Sequence, residues 1–196
     1  GTPNWISILN NNDAIITPSK FNYKIFAHEN IKKPIFYIPH CYDTELFNPG
    51  IKPYKKHNVF TFLFFGSWRL RKGYPQLIEA WCRYFKSGKD RVQLMIKTDK
   101  TEIAKKSVDT IINNLGFNKK DICPILFESN ILDTYQLPGF MKSFDAFVLP
   151  TIGEGFCIGG LQSMALGVPV IITNFSGCQD YANEETATLI EPKGYI

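Results

Sequence analysis

Two patterns of hydrophobic and polar positions alternate along these 196 residues. From residue 59 onward, short apolar runs rich in β-branched and aromatic residues take turns with longer stretches whose apolar residues recur every three or four positions. The runs are VFTFLFFG (59–66), VQLMIKT (92–98), PILFES (124–129), DAFVLP (145–150), VPVIITN (168–174) and ATLIEP (187–192). Apolar runs of this length, bounded by turn residues, predict strands buried on both faces of a parallel sheet. Between them, Tyr74 to Tyr84 carries Leu77, Ile78, Ala80, Trp81 and Tyr84 as one helical face, and TEIAKKSVDTIINNLG (101–116) reads as a helix stopped by Gly116. LDTYQLPGFMKSF (132–144) is helical, with an interruption expected at Pro138 and Gly139. Strands alternating with helices predict an α/β fold, a doubly wound parallel sheet that takes ligands at the carboxyl ends of its strands.

The first 49 residues follow a different rhythm. NWISILNNN ends a helix, DAIITPS is a short strand, Ser19 caps a helix over KFNYKIFAHEN, and IKKPIFYIP is a further strand. The stretch PHCYDTELFNPGIKPYKKHN (39–58) is rich in proline, asparagine and lysine and has little periodicity, so it reads as a linker. These features divide the chain near residue 50 into a remnant of one domain (1–49) and a main domain (50–196).

Turn and breaker signals are densest between the fourth and fifth runs of the main domain. Gly153, Gly155, Gly159 and Gly160 open this segment, and Gly167 with Pro169 closes it, so a glycine loop and a crossover helix join two strands. Such a loop leaves backbone N–H groups pointing outward, a ready anion site. Glu154 lies in the loop and Gln162 follows eight residues on, where both side chains can face one crevice. A carboxylate there is suited to accept hydrogen bonds from sugar hydroxyls; equally, the glycines can serve only helix-to-sheet packing, with Glu154 solvated. A second constellation, FFGSWRLRKGYPQLIEAW (64–81), puts Arg69, Arg71 and Lys72 in a loop between strand and helix. Three cations at the carboxyl edge suit a diphosphate, or they form a solvated basic loop. Trp68 reads as a packing residue.

Composition narrows the setting. Lys and Arg number 22 against 18 Asp and Glu, a net charge of +4, too mild to imply nucleic acid and compatible with a small anionic ligand. No apolar run reaches the roughly 18 residues of a membrane span, and no export signal opens the chain, so a soluble cytoplasmic protein is expected. The five cysteines (Cys41, Cys82, Cys123, Cys157, Cys178) form no CxxC pair, which argues against a disulfide framework or a zinc site and fits a reducing compartment.

Taken together, these segments resemble the donor domain of a GT-B glycosyltransferase, specifically the large retaining family four, the group 1 glycosyl transferases. DAIITPSKF resembles the last strand and helix of that family's acceptor domain, and IPHCYDTELFNP its interdomain linker. FLFFGSWRLRKGYPQLIEAW resembles its phosphate loop, and PTIGEGFCIGGLQSMALGVPVIITNFSGCQD its most diagnostic segment. The resemblance implies a Rossmann-like donor domain over 50–196, truncated at its C-terminus, that binds a nucleoside diphosphate sugar as substrate for retaining transfer to a glycan, lipid or protein acceptor. No cofactor or metal is expected, and the 196 residues alone should be inactive. Carried over residue by residue, Lys72 contacts the donor diphosphate with Arg71 or Arg69 as helper, beside Gly66 and Ser67. Glu154 contacts the transferred sugar as the catalytic carboxylate, Gly155 and the backbone amides of Phe156, Cys157 and Ile158 face the phosphates, and Asn130 and Ile131 flank the base. Ser67 stands where many members have arginine, and Gln162 where the family's second glutamate meets the ribose. Neither His28 nor His40 inherits a catalytic role. The alternatives are a nucleotide-sugar-binding module without catalysis, or a GT-B epimerase or phosphorylase.

Overall fold

The computed structural model describes residues 3–194. The outermost ends of the two predicted domains, residues 1–2 and 195–196, lie outside the described residues. The chain opens with helix α1 (Pro3–Asn10), strand β1 (Ile15–Thr17), helix α2 (Lys20–His28) and strand β2 (Ile35–Tyr37). β1 and β2 pair in parallel as a small sheet of their own. Ser19 caps α2, its hydroxyl accepting from the Asn22 N–H at 3.2 Å, as the sequence predicts. No regular strand or α-helix lies between Tyr37 and Phe60.

The remaining strands build one six-stranded sheet. They are β3 (Phe60–Phe65), β4 (Val92–Lys97), β5 (Ile125–Glu128), β6 (Ala146–Leu149), β7 (Val170–Thr173) and β8 (Thr188–Ile190), in spatial order β5-β4-β3-β6-β7-β8. All five pairings are parallel. The crossovers run through α3 (Tyr74–Tyr84), α4 (Thr101–Asn114), α5 (Gln136–Met141), α6 (Ile158–Ala165) and a short 3-10 turn at Ser176–Asp180. The strand order reverses between β3 and β6, and that reversal leaves a crevice outside their carboxyl ends. Leu63, Phe64, Leu94, Ile96, Phe147, Leu149 and Ile172 from the central strands are almost fully buried, each contributing about 1.5–3 kcal/mol by removal from water.

Two expectations about helices are corrected. α5 runs without a break through Pro138 and Gly139, because Pro138 is its third residue and an N–H there has no intrahelical acceptor to lose. In α3 the buried face is Leu77, Ile78, Trp81 and Cys82, while Ala80 and Tyr84 point outward, Tyr84 at 76% exposure. Trp81 fixes that face, donating its indole N–H to the Cys123 carbonyl at 2.9 Å. Helix α2 docks on the 3-10 turn that follows β7, at the carboxyl edge of the large sheet. The Lys20 N–H donates to Asp180 at 2.9 Å, and the Phe21 and Phe175 rings meet edge to face at 5.1 Å.

Candidate functional site

The loops that leave β3 and β6 are zipped together at the strand-order reversal. The Ile152 N–H and the Thr151 hydroxyl both donate to the Arg71 carbonyl, at 2.8 and 2.9 Å. Gly73 makes the approach possible: its φ is +71°, and a Cβ there would lie 1.7 Å from the Pro150 carbonyl oxygen. On the other side of the β3 loop, the Trp68 N–H donates to Asp99 at 3.1 Å. That hydrogen bond is the main reason the Asp99 carboxyl is held below the usual aspartate range. Trp68 itself is buried and stacks on Tyr74 at 3.9 Å between ring centres, a packing role.

Glu154 is the hub. Its side chain is 7% exposed and pairs with Lys72 at 2.7 Å and Arg71 at 2.9 Å. The Thr151 hydroxyl oxygen, whose proton goes to the Arg71 carbonyl, stands 3.1 Å from the same carboxylate, and Arg71 also donates to the Gly153 carbonyl at 2.7 Å. The backbone of Glu154 is clamped from beneath: its N–H donates to the Ser176 hydroxyl at 2.8 Å and its carbonyl accepts from the Gly177 N–H at 3.0 Å. Gly177 admits no side chain, since a Cβ would stand 2.2 Å from the Gly155 carbonyl oxygen. Cys157 (φ +67°) and Ser176 (φ +61°) are the non-glycine residues of positive φ among the described residues, and both belong to this loop and its clamp. Strain of this kind costs of order 1–3 kcal/mol per residue and persists where surrounding contacts over-determine the backbone.

α6 begins at the end of this loop. No acceptor among the described residues takes the backbone N–H groups of Phe156, Cys157 or Ile158, so they and the helix dipole present partial positive charge to the crevice. The crevice is a cleft of about 500 Å³ lined by Gly66, Lys72, Glu154, Gly155, Phe156, Cys157, Ile158 and Gln162, with His40 and Leu137 among the residues opposite. A second compartment of about 800 Å³ shares Phe65 and Leu137 with it and runs past the ends of β4 and β5. Ile131 lines that compartment at 97% exposure, and the Lys97 ammonium donates to the Asn130 carbonyl beside it.

The structure therefore brings Gly66, Lys72, Glu154, Gly155, Phe156, Cys157, Ile158 and Gln162 to one cleft. Arg71 joins through Glu154. Arg69 is exposed and Ser67 half-buried, and neither lines the cleft, so the picture of three cations converging reduces to two. The alternative of a solvated Glu154 is excluded by its burial. His40, from the linker, lines the cleft and meets the Phe156 ring edge to face at 5.3 Å. His28 stays remote, its ring bonded to the Lys24 carbonyl at 2.7 Å. Thr151 and Ser176 lie within the quoted diagnostic segment and Lys97 in β4, but none is marked by the sequence as a site residue, because the backbone groups of Arg71, Glu154 and Asn130 that they meet come together only in the fold.

A family model described as Glycosyl transferases group 1 matches residues 59–195. Among curated proteins, Protein CapJ of Staphylococcus aureus is 28% identical over 72 residues, 37% of this chain and 18% of CapJ. Among solved structures, sucrose-phosphate synthase from Thermosynechococcus elongatus is similar with a TM-score of 0.77 at 20% identity, covering 97% of this chain and 48% of that one. HepE of Anabaena, solved in complex with UDP and glucose, gives 0.75 at 17% identity over 96% and 52%. The chain spans about half the length of both structures. At these identities the likeness shows the fold, the Rossmann-like α/β domain of GT-B glycosyltransferases. Among the described residues no helix is long and apolar enough to cross a membrane.

Proposed function

The chain belongs to the group 1 glycosyl transferases, and on that premise we propose that residues 50–196 bind a nucleoside diphosphate sugar for retaining transfer of the sugar to an acceptor. Residues 1–49 would then be the acceptor-domain side and its linker. The observation that carries the reading is the convergence, at the strand-order reversal, of the Lys72 ammonium, the open N–H groups at the start of α6 and the buried Glu154. HepE, similar in fold, is a complex with UDP and glucose, which supports a nucleotide sugar as the ligand class.

In this reading the diphosphate lies between Lys72 and the Phe156–Ile158 amides. As the bond from the sugar to the diphosphate breaks, negative charge builds on the leaving phosphate, and donors already fixed in place neutralise it without reorganisation. Glu154 holds Lys72 and Arg71 in position beforehand and turns its carboxylate to the transferred sugar when the diphosphate takes over the lysine. Ser67 and Gly66 border the phosphates, Arg69 acts at longer range, Gln162 meets the ribose, and Asn130 and Ile131 flank the base in the second compartment. The nucleotide sugar is a substrate, and the proposed reaction assigns no role to a resident cofactor or metal. Transfer requires an acceptor held against the donor, worth some 7–11 kcal/mol of barrier, so the 196 residues by themselves are proposed to bind donor and not to turn it over at a useful rate.

The test is to supply the full-length protein with nucleoside diphosphate sugars and candidate acceptors and to follow nucleoside diphosphate release together with the anomeric configuration of the product by NMR. Acceptor-dependent release with the configuration kept is expected. An inverted product would overturn retention. Tight donor binding without acceptor-dependent release would favour a binding module, the reading to which Gln162 lends some weight.

A further inference from the structure

Lys97 is a buried cation to which the proposed reaction gives no task. It is the last residue of β4, in register with Phe65 of β3 and Glu128 of β5, and is only 8% exposed. Its carbonyl accepts from the Gly66 N–H at 3.1 Å and its ammonium donates to the Asn130 carbonyl, so it ties the loop after β3 to the loop after β5. The side chain lines the compartment of about 800 Å³ at the ends of β4 and β5. Among the described residues no carboxylate neutralises it. Glu128 accepts instead from the Asn130 N–H at 2.7 Å, Asp99 accepts from the Trp68 N–H at 3.1 Å, and Glu102 pairs with Lys105 at 2.7 Å. We propose that Lys97 selects the base of the bound nucleotide by donating to a ring carbonyl, so that this compartment takes uracil or guanine and rejects cytosine and adenine.

An ammonium has three N–H donors and no acceptor, and here one of the three goes to Asn130. Burying a cation without enough acceptors is costly, so a ligand that brings one is favoured. The backbone N–H groups of Ile131 and Leu132, two residues of the same wall, also have no acceptor among the described residues. The wall is thus a set of hydrogen-bond donors. Uracil offers it the O4 carbonyl and guanine the O6 carbonyl, whereas cytosine and adenine carry an amine at the matching position, itself a donor. Exchanging carbonyl for amine removes a charge-assisted hydrogen bond and sets donor against donor. The loss of one such bond corresponds to a roughly ten- to 150-fold drop in affinity. A contact from Lys97 to ribose or phosphate would carry no such preference, because every nucleoside diphosphate shares those groups.

This inference rests on the donor-cleft reading above, which puts the base in the second compartment. The test titrates the full chain with UDP, CDP, GDP, ADP and inorganic pyrophosphate in a calorimeter, for the parent and for Lys97→Met, which keeps the apolar stem and removes the donors. The parent should bind UDP at least about tenfold more tightly than CDP, or GDP at least about tenfold more tightly than ADP. In Lys97→Met the favoured nucleotide should fall roughly ten- to 150-fold, toward the affinity of its amino counterpart, while pyrophosphate binding stays as in the parent. A parent that binds CDP and ADP as well as UDP and GDP would overturn the selection, and this arm decides the matter even if the variant does not fold. An equal loss for all four nucleotides in a folded Lys97→Met would also overturn it, since Lys97 would then only position the Asn130 loop or hold the ribose. If the parent binds none of the four, the donor-cleft reading fails and takes the inference with it. Binding of all four without preference for a carbonyl defeats the inference alone.

Discussion

Replacing Glu154 by glutamine separates the two tasks assigned to that carboxylate. In the structure it is 7% exposed on its side chain and neutralises Lys72, itself 13% exposed, at 2.7 Å, and Arg71 at 2.9 Å. Glutamine keeps the shape and one acceptor, but turns an amide N–H toward a cation and leaves the lysine without its counterion. Breaking a buried ion pair outright costs roughly 3–5 kcal/mol. Half-exposed Arg71 and the retained acceptor reduce this, so about 2 kcal/mol is expected. For a chain of this size that is a fall of about 4–8 °C in the thermal midpoint. Inorganic pyrophosphate supplies the missing negative charge, and in the variant it no longer competes with a carboxylate for Lys72. The variant should therefore bind pyrophosphate at least as tightly as the parent and gain more in midpoint at saturation, while sugar transfer by the full-length protein falls. Differential scanning fluorimetry with and without pyrophosphate measures the stability arm and calorimetry the affinity arm. A variant as stable as the parent, with weaker pyrophosphate binding, would refute the account of Glu154 as the group that holds Lys72 until the ligand arrives.

Other substitutions probe the surroundings of the hub. Gln162→Glu should tighten UDP binding by roughly 0.5–1.5 kcal/mol, since two ribose hydroxyls can then donate to a carboxylate, with little change for pyrophosphate; equal weakening of both ligands in calorimetry would place Gln162 at the phosphates. Gly73→Ala meets the Pro150 carbonyl and an unfavourable φ of +71°, so a loss of more than about 2 kcal/mol in denaturant unfolding is expected. Asp99 has its folded-state pKa lowered by the Trp68 N–H. Its stabilisation is thus fully present above the unfolded value of about 3.9 and is lost as pH falls through the lower folded value. Thermal midpoints of the parent and Asp99→Asn should differ at pH 7 and converge in acid, and a difference that persists there would contradict the role given to that hydrogen bond.

Much of the fold was legible because its strands are buried on both faces and its helices carry Gly116 and Gly167 as stops, both with positive φ in the structure. What periodicity misjudged was local. Pro138 looked like a break only because the first residue of α5, Gln136, five positions before the buried Met141, had no capping signal to mark it. Tyr84 looked like part of a buried face because spacing does not say where the neighbouring layer ends. The site was legible in its types and order, with glycines, Lys72 and Glu154 in the right loops, but not in its pairing. That Glu154 neutralises Lys72 depends on the zipper between Arg71 and Ile152, a contact across 81 positions with no trace in either segment. The position of His40 is hidden for the same reason: a linker residue gains a place in the cleft only once the chain folds back and sets its ring against Phe156.

The central claim is that the cleft between the β3 loop and α6 binds a nucleoside diphosphate through Lys72. Titration calorimetry of the 196-residue chain with UDP and GDP, for the parent and Lys72→Ala, tests it most directly. Lysine contributes a charge-assisted hydrogen bond worth about 1.5–3 kcal/mol, so the variant should bind at least one of the two nucleotides roughly ten- to 150-fold more weakly while circular dichroism shows the fold intact. Saturable binding by the parent with the affinity undiminished in a folded Lys72→Ala variant would contradict the claim.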